Sequence, residues 1–458
     1  MSRRFDAIIV GAGQAGPSLA GRLTAAGMSV ALIERKLIGG TCVNTGCMPT
    51  KALVASAYAA HLARRGRDFG VETGPVAIDM KRIRERADTV SANARTNNEK
   101  WLRGMERLTL IMGHARFTGP DRMEVNGEEI SAPSIFLNVG GRANVPDFPG
   151  VNDVDYLTNV SILQLDTLPE HLVVVGGSYI GLEFAQMYRR FGAKVTIVEK
   201  GPRLVSREDE DVSEAIREIM EAEGITVRTG AECISFAPHA DGIEVGVDCN
   251  SGSPTEIGSH ALLAVGRRPN TDDLGLDAAG VAVDARGYIG VNDTLETNVP
   301  GIWAMGDCNG RGAFTHTAYN DYEIIAANLL DGADRKLSDR ILGYALYIDP
   351  PLGRVGLSEG EARRSGRPLL ISKRPMTRVG RAIEKSETKG FMKILADAET
   401  RKILGTAILG TGGDEAIHGI LDMMNADVDY GVLQWAVPIH PTVSELIPTV
   451  LGDLKPVD

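Results

Sequence analysis

The feature that most constrains the fold of this chain is a glycine-centred pattern that occurs twice. Each copy follows an apolar strand, opens a helix, and leads to a second apolar strand that ends in an acid. The acids are Glu34 and Glu199, and each lies 23 residues after the first glycine of its copy. The residues of the two patterns are Gly11, Gly13 and Gly16, then Gly176, Gly177, Tyr179, Ile180 and Gly181. This order of elements predicts two βαβ modules that each bind a dinucleotide.

Both modules contain the groups that a dinucleotide needs. The glycines allow a tight turn, the close approach of a pyrophosphate to the N-terminus of a helix, and close packing of that helix on the strand. Glu34 and Glu199 can each accept hydrogen bonds from ribose hydroxyls. Ser178 replaces the middle glycine of the second pattern, so we expect a side chain near the second pyrophosphate.

Two cysteines five residues apart, Cys42 and Cys47, stand at the start of a predicted helix. Zinc-binding pairs are usually separated by about two to four residues and are matched by a second pair or by histidines. Cys233, Cys249 and Cys308 are scattered singly, so zinc is not expected. The positive end of the helix dipole would stabilise a thiolate at Cys47, and a structural disulfide across so short a loop removes little chain entropy. The pair therefore predicts redox chemistry.

Length and composition favour a multidomain enzyme. The 458 residues are 43% hydrophobic and 24% charged, which suits about three globular domains. The net charge of -11 and the lack of a long basic cluster argue against nucleic acid or an anionic membrane as a partner. No stretch approaches the ~20 apolar residues of a membrane span, and the first strand leaves no room for a signal peptide. With scattered cysteines typical of a reducing compartment, these features predict a cytoplasmic protein.

Motifs along nearly the whole chain resemble those of the class I flavoprotein disulfide reductases, which include dihydrolipoamide dehydrogenase, glutathione reductase and mercuric reductase. The shared motifs are the first glycine pattern, residues 40–51, residues 176–183, residues 264–270, Gly306-Asp307, and residues 440–445. The resemblance implies an α/β fold with two Rossmann-type dinucleotide-binding domains and a C-terminal α+β interface domain that forms a homodimer. The implied boundaries are 1–146 with 270–335 for the FAD-binding domain, 147–269 for the NAD(P)-binding domain, and 336–458 for the interface domain.

The same resemblance implies FAD on the first module and a nicotinamide nucleotide on the second. Beyond the glycine patterns and their acids, the residues expected at the cofactors are Gly40, Thr41, Ala115, Gly140, Gly266 and Asp307. Because Glu199 would repel a 2′-phosphate, we expect NADH to be preferred over NADPH. Lys200 and Arg203 follow closely and could bind that phosphate, which would favour NADPH.

The residues that match the family's reaction centre are Cys42, Cys47, Lys51, Glu183, His440 and Glu445. In the family, hydride passes from the nicotinamide to the flavin and the flavin reduces the disulfide, so Cys47 would face the flavin and Cys42 would attack substrate. Lys51 and Glu183 match an ion pair near the flavin N5. His440 and Glu445 match an acid/base pair that completes the site of the other subunit, and thiol chemistry requires such a proton carrier.

Three hypotheses about the function stay open. Mercuric reductases end in a vicinal cysteine pair that residues 451–458 lack, and lipoamide dehydrogenases usually carry His-Ala-His where this chain has residues 438–440. Residues 206–209 and 349–356 are most similar to the mercuric-reductase-like group that includes the reactive-chlorine-resistance copper reductases. The first hypothesis is therefore a stand-alone NAD(P)H-dependent reductase of a disulfide, an oxidant or a metal ion. The alternatives are the dihydrolipoamide dehydrogenase subunit of a 2-oxoacid dehydrogenase complex and a non-catalytic flavin-binding redox sensor.

Overall fold

The structure, a computed structural model, describes residues 3–247 and 254–457, so Cys249 lies outside the described residues. Residues 3–143 form β1 (Arg3–Arg4), β2 (Ala7–Val10), α1 (Ala15–Ala25), β3 (Val30–Glu34), α2 (Gly40–Thr45), α3 (Cys47–Arg64), α4 (Met80–Arg103), β4 (Leu108–Met112), β5 (Ala115–Gly119), β6 (Arg122–Val125), β7 (Glu128–Ser131), β8 (Ser134–Leu137) and β9 (Gly141–Ala143). Residues 171–330 form β10 (His171–Val175), α5 (Tyr179–Phe191), β11 (Lys194–Val198), α6 (Glu210–Ala222), β12 (Thr226–Arg228), β13 (Ser235–His239), β14 (Gly242–Gly246), β15 (Thr255–Gly258), β16 (His260–Leu263), β17 (Arg267–Pro269), α7 (Leu276–Ala279), β18 (Ile302–Ala304) and α8 (Thr315–Leu330). Residues 343–456 form β19 (Gly343–Leu346), β20 (Leu352–Gly356), α9 (Glu359–Arg364), β21 (Leu369–Pro375), α10 (Gly380–Glu384), β22 (Phe391–Asp397), β23 (Ile403–Leu409), α11 (Gly413–Asn425), α12 (Gly431–Gln434), α13 (Ile447–Gly452) and β24 (Lys455–Pro456).

Two parallel sheets have the arrangement that the repeated glycine pattern predicts. The first has the strand order β18–β8–β2–β3–β4 and the second has the order β12–β11–β10–β16, with every neighbouring pair parallel. In each sheet the glycine pattern joins a central strand, β2 or β10, to the helix that follows it. Every residue of β2 and β10 is buried, as expected for parallel strands that are covered on both faces.

The C-terminal region builds a separate antiparallel sheet with the order β19–β20–β23–β22–β21–β24. Both central strands, β22 and β23, are buried along their whole length. One core cluster joins Ile394 and Ile408 of the sheet to Ile417 of α11 and Val450 of α13. The α/β class with a C-terminal α+β unit, predicted from the sequence, is thereby confirmed.

A shared apolar core fixes the helix that carries Cys47 against the rest of the molecule. Leu53 of α3, Leu182 of α5 and Leu352 of β20 belong to one buried cluster. Each of these side chains is less than one-tenth exposed, so α3 is packed between the second module and the C-terminal sheet. The start of α3 is therefore held rigidly where three parts of the chain meet.

The longest helices of the described residues are α4, with 24 residues, and α3, with 18. α4 buries only Met80, Ala87, Ser91 and Leu102 and presents a largely charged face to solvent. Within 3–247 and 254–457, no helix combines the length and the apolar character needed to cross a membrane.

Candidate active site

Cys42 and Cys47 lie on two successive helices that meet at a tight corner. Cys42 lies in α2, and Cys47 is the first residue of α3, as the sequence predicted. A Cβ at Gly46 would lie 2.8 Å from the carbonyl oxygen of Thr41, so the corner requires glycine. Both cysteines are free thiols here. They are hydrogen-bonded to each other, and Cys47 Sγ lies 3.3 Å from Thr315 Oγ1 at the start of α8.

The surroundings make the two thiols chemically unequal. The hydrogen bond from Cys42 lowers the pKa of Cys47 to about 6 against the opposing effect of partial desolvation by the surrounding protein, and the Thr315 hydroxyl and the Lys51 ammonium lower it further. The same hydrogen bond raises the pKa of Cys42, and burial adds to that rise. One proton therefore leaves the pair easily and the other stays on Cys42. The negative charge of the pair therefore lies on Cys47, and Cys42 needs a base before it can react as a thiolate.

Asn44 fixes the short helix that carries Cys42. Its side-chain amide donates to the carbonyl oxygens of Ile38, at 3.0 Å, and Gly40, at 2.9 Å. Its oxygen accepts a hydrogen bond from Arg95 of α4 at 3.1 Å. Sequence reasoning missed both residues. Asn44 lies inside the cysteine motif and could have been found there, whereas Arg95 is 51 residues away and carries no local signal.

The ion pair that the resemblance implies between Lys51 and Glu183 is present. Lys51 Nζ lies 2.6 Å from Glu183 Oε2, and Glu183 is only 6% exposed. The other carboxylate oxygen accepts a hydrogen bond from the backbone amide of Tyr347 at 3.0 Å, and the Lys51 ammonium lies 4.5 Å from the centroid of the Tyr347 ring. A buried carboxylate needs such partners, so Glu183 is not a solvated helix residue.

The first glycine pattern fits a dinucleotide. A Cβ at Gly11 would lie 2.2 Å from the carbonyl oxygen of Asn138, and one at Gly16 would lie 2.2 Å from the carbonyl oxygen of Gly11. Both positions therefore require glycine. Glu34 accepts hydrogen bonds from the backbone amides of Ala12, at 2.9 Å, and Lys36, at 2.8 Å. Each carboxylate oxygen has two acceptor sites, so Glu34 can still accept a ribose hydroxyl.

The second pattern repeats this geometry. A Cβ at Gly181 would lie 2.0 Å from the carbonyl oxygen of Gly176. Glu199 accepts hydrogen bonds from the backbone amides of Gly177, at 2.6 Å, and Gly201, at 2.7 Å. Both acids are thus anchored to the glycine turn of their own module and can present their remaining acceptor sites to a ribose.

The other residues expected at the cofactors lie on loops, at strand ends and at the starts of helices. Tyr179 and Ile180 are the first two residues of α5 and follow the exposed Ser178. Thr41 lies in α2, and Ala115 begins β5. Asp307 follows β18 and forms an ion pair with Arg267 at 3.3 Å. Gly140 and Gly266 have positive φ, and an added Cβ at either position would have no atom within 4 Å. Gly40 and Gly13 are crowded instead. A Cβ at Gly40 would lie 2.8 Å from Gly13 Cα, and one at Gly13 would lie 3.2 Å from Asn138 Nδ2. The arrangement leaves open, glycine-lined approaches beside both modules.

His440 and Glu445 form the expected hydrogen-bonded pair. Nδ1 of His440 donates to Glu445 Oε2 at 2.8 Å, and the imidazole is 80% exposed while the carboxylate is mostly buried. Within 3–247 and 254–457, no hydrogen bond joins His440 to Cys42 or Cys47. A single chain therefore holds the dithiol and the imidazole as two separate groups.

The segment that leads to His440 exposes large apolar side chains. Trp435 is 80% exposed, Val437 96% and Ile439 80%. Soluble proteins rarely expose such contiguous apolar groups unless another surface covers them. Such exposure is typical of a surface that another protein surface covers.

Comparisons with known proteins agree with this geometry. Residues 5–321 match the family described as pyridine nucleotide-disulphide oxidoreductase, and residues 343–451 match the dimerisation domain of the same family. The chain is 34% identical to the probable pyridine nucleotide-disulfide oxidoreductase RclA of Escherichia coli strain K12, which covers 99% of this chain and 100% of that protein. It is 33% identical to the dihydrolipoyl dehydrogenase of Thermus scotoductus, over 97% of this chain and 96% of that protein. The solved Cu(II) complex of the HOCl-induced flavoprotein disulfide reductase RclA from Escherichia coli superposes with a TM-score of 0.89 at 33% identity, over 99% of both chains.

Proposed function

We propose a function from one premise: this chain belongs to the pyridine nucleotide-disulphide oxidoreductase family. Members use FAD and NAD(P)H, and the chain is an NAD(P)H-dependent flavoprotein disulfide reductase. We infer that Cys42 and Cys47 are its redox-active pair and that electrons leave through Cys42. The observation that carries the pair is the contact of the two thiols where α2 meets α3, with Cys47 on the side of Thr315 and Lys51. The exit through Cys42 follows the order of electron transfer in the family.

The two modules divide the cofactors between them in this proposal. Residues 1–146 with 270–335 bind FAD, 147–269 bind NAD(P)H, and 336–458 form the interface domain. β18 supports the first of these assignments, because it pairs with β8 in the sheet of the first module. FAD, when bound, supplies the hydride chemistry that links NAD(P)H to the dithiol. We propose that the first glycine pattern, Glu34 and Asp307 hold it.

The residues of the chain then account for the thiol chemistry. Cys42, deprotonated by the imidazole of His440, attacks one sulfur of a disulfide substrate, and the protonated imidazole returns the proton to the leaving thiolate. The Cys47 thiolate next attacks Cys42 Sγ, which closes the Cys42–Cys47 disulfide and releases the second thiolate of the substrate. Glu445 holds the imidazole in the tautomer that this transfer needs.

We propose that the substrate is Cu(II) or a small disulfide produced by a reactive oxidant. The similar solved structure from Escherichia coli is a Cu(II) complex of an HOCl-induced protein, and the likeness covers nearly the whole of both chains. Thiolates are soft ligands that favour Cu(I), the product that reduction of Cu(II) would give, and Cys47 is exposed while Cys42 is partly so. The second candidate is a dihydrolipoamide dehydrogenase, which the intact His440–Glu445 pair favours because that pair carries a thiol proton. The proposed compartment is the cytoplasm.

A substrate panel tests this proposal. With NADH as donor, we expect Cu(II) or glutathione disulfide to be reduced with a kcat/KM at least about tenfold above that for lipoamide or Hg(II). Cys42→Ser should lose the activity with all four, which controls for direct reduction by the flavin. A kcat/KM highest for lipoamide would support the second candidate instead. Flavin-bound protein that turns over none of the four would favour a redox sensor.

The geometry of Glu199 leads us to expect a preference for NADH over NADPH. The Glu199 carboxylate would repel a 2′-phosphate, and Arg203 donates to the carbonyl oxygens of Ser206, at 3.1 Å, and Glu208, at 3.2 Å. Because Arg203 makes these hydrogen bonds, the exposed Lys200 is the one of the two cations that stays available for a 2′-phosphate. We expect kcat/KM with NADH to exceed that with NADPH by about tenfold or more. Glu199→Ala should lower the ratio of kcat/KM with NADH to kcat/KM with NADPH, and Lys200→Ala should not. A wild-type kcat/KM with NADPH that equals or exceeds that with NADH would contradict the proposal.

We further propose that the chain works as a homodimer with shared active sites. The match of residues 343–451 to a dimerisation domain supports self-association. A two-fold interface would cover the exposed apolar segment 435–439 on both subunits. It would also bring His440 of one subunit to the dithiol of the other, which the exposed imidazole allows.

A further inference from the structure

Two tyrosine hydroxyls from different parts of the chain converge on one buried carboxylate. Tyr179 and Tyr344 donate to Glu208 Oε1 at 2.8 and 2.7 Å, and Glu208 is 2% exposed. Tyr179 is the first residue of α5, inside the second glycine pattern, whereas Tyr344 belongs to β19 of the C-terminal sheet. Glu208 therefore links the second module to the C-terminal region.

Cations of the C-terminal sheet hold this carboxylate and its neighbour in place. Arg354 Nη1 lies 3.8 Å from Glu208 Oε2 and 3.2 Å from Asp209 Oδ2, and Asp209 Oδ2 also lies 3.2 Å from Lys393 Nζ. Arg354 and Lys393 are each 2% exposed. Buried charges need partners, so Glu208 cannot swing into solvent without leaving Arg354 less well compensated.

The rings of the two tyrosines also pack against each other and against Phe314. The Phe314 ring stacks on Tyr344 at 5.4 Å, and Tyr179 meets Tyr344 edge-on at 5.7 Å and Phe314 at 6.5 Å. Burial raises the pKa of both tyrosine hydroxyls, so they stay protonated donors. Phe314 directly precedes Thr315, the residue in contact with Cys47. Tyr179 thus has one fixed orientation, set by packing on one side and by Glu208 on the other.

We propose that Glu208 is a positioning residue for the nicotinamide nucleotide site, through which the C-terminal sheet fixes Tyr179. The proposal rests on the assignment of that site to the second module. The amides at the start of α5 are where a pyrophosphate would bind, and Tyr179 stands in that turn. When a side chain at a binding site is mobile, the ligand must order it, and the lost conformational entropy lowers the affinity. Removing the hydrogen bond that holds Tyr179 should therefore weaken nucleotide binding. Glu208 itself is buried and contacts neither thiol.

The experiment compares the affinity for NADH of FAD-loaded variants, measured anaerobically by equilibrium dialysis after dithionite has reduced the flavin and the dithiol, so that no hydride transfer consumes the NADH. Glu208→Ala should raise the Kd and KM for NADH by about fivefold and change kcat less than about twofold. Glu208→Gln should restore most of the affinity, because its amide oxygen can still accept both hydroxyls. Tyr344→Phe keeps the ring stack and should raise the Kd by about twofold. It tests the same link if Glu208→Ala does not fold.

Glu387→Ala is the matched control. Glu387 also accepts a tyrosine hydroxyl, that of Tyr58 at 2.8 Å, and its side chain is 8% exposed, but it belongs to another contact between regions. Its loss should leave the Kd for NADH unchanged. Unaltered Kd values in both Glu208→Ala and Tyr344→Phe, or an equal rise in Glu387→Ala, would overturn the positioning role alone. Failure of the wild-type protein to bind NADH would overturn the proposed nucleotide site together with it.

Discussion

Serine in place of Cys47 should abolish substrate reduction and, with it, the optical signature of a thiolate beside the flavin. Cys47 is the sulfur that loses its proton first, because Cys42 and Thr315 donate hydrogen bonds to it and Lys51 lies nearby. When wild-type protein is titrated anaerobically with NADH, we expect a long-wavelength charge-transfer band. Cys47→Ser should lack the band and lose at least about a thousandfold in kcat.

Cys42→Ser is the informative companion variant. It should be as inactive as Cys47→Ser, because the attacking sulfur is gone, yet it should retain the long-wavelength band. Cys233→Ser, which alters an exposed cysteine outside the site, should match the wild type in both respects. If neither Cys42→Ser nor Cys47→Ser altered the spectrum, the pair could not lie beside the flavin.

The same band gives the pH dependence of the site. The pKa of Cys47 is lowered to about 6, so the thiolate persists at neutral pH and is protonated as the pH falls through that value. We expect the band of the wild-type protein to be full near pH 8 and to fade below about pH 6. A band that persisted unchanged to pH 5 would show a still more acidic thiol, and one absent at pH 7 would show an ordinary cysteine.

Sequence reasoning reached the parts of this molecule whose signal is local. Glycines 11, 13 and 16 and Glu34 lie within one βαβ unit, and their spacing is set by the geometry of a strand, a turn and a helix. The position of Cys47 at the start of α3 could be predicted for the same reason. The resemblance to the family implied the pair of His440 and Glu445, which the structure shows hydrogen-bonded.

Contacts that depend on packing between distant elements were beyond such reasoning. Thr315 reaches Cys47 across 268 residues, and Tyr344 reaches Glu208 across 136. Threonine and tyrosine occur throughout any chain, so nothing local distinguishes Thr315 or Tyr344 from its neighbours. Their roles arise only once α8 has packed beside α3 and β19 has packed beside the second module. Residues 206–209 and 349–356, which the resemblance singled out separately, prove to contact each other through Asp209 and Arg354.

The sharing of the active site between subunits leads to the second large expected effect. His440 is 80% exposed and sits beside an uncovered apolar segment, as expected if it completes the site of a partner. His440→Ala should lower kcat by about a hundredfold to ten-thousandfold, because the proton of the thiol chemistry loses its carrier. Cys42→Ser should be inactive for a different reason, since the imidazole remains but the attacking sulfur is missing.

A mixed dimer separates these two defects. Cys42→Ser and His440→Ala subunits, carrying different affinity tags, can be refolded together and the heterodimer purified. If His440 serves the partner, one of the two sites regains both Cys42 and His440, and activity should return to about half that of the wild-type dimer. A heterodimer of Cys42→Ser with Cys47→Ser is the matched control. It should stay inactive, because the two cysteines come from one chain and neither site regains an intact pair. Recovery in the control would show that the reactive thiols need not come from one chain, and no recovery in the first heterodimer would place His440 in the site of its own subunit or outside catalysis.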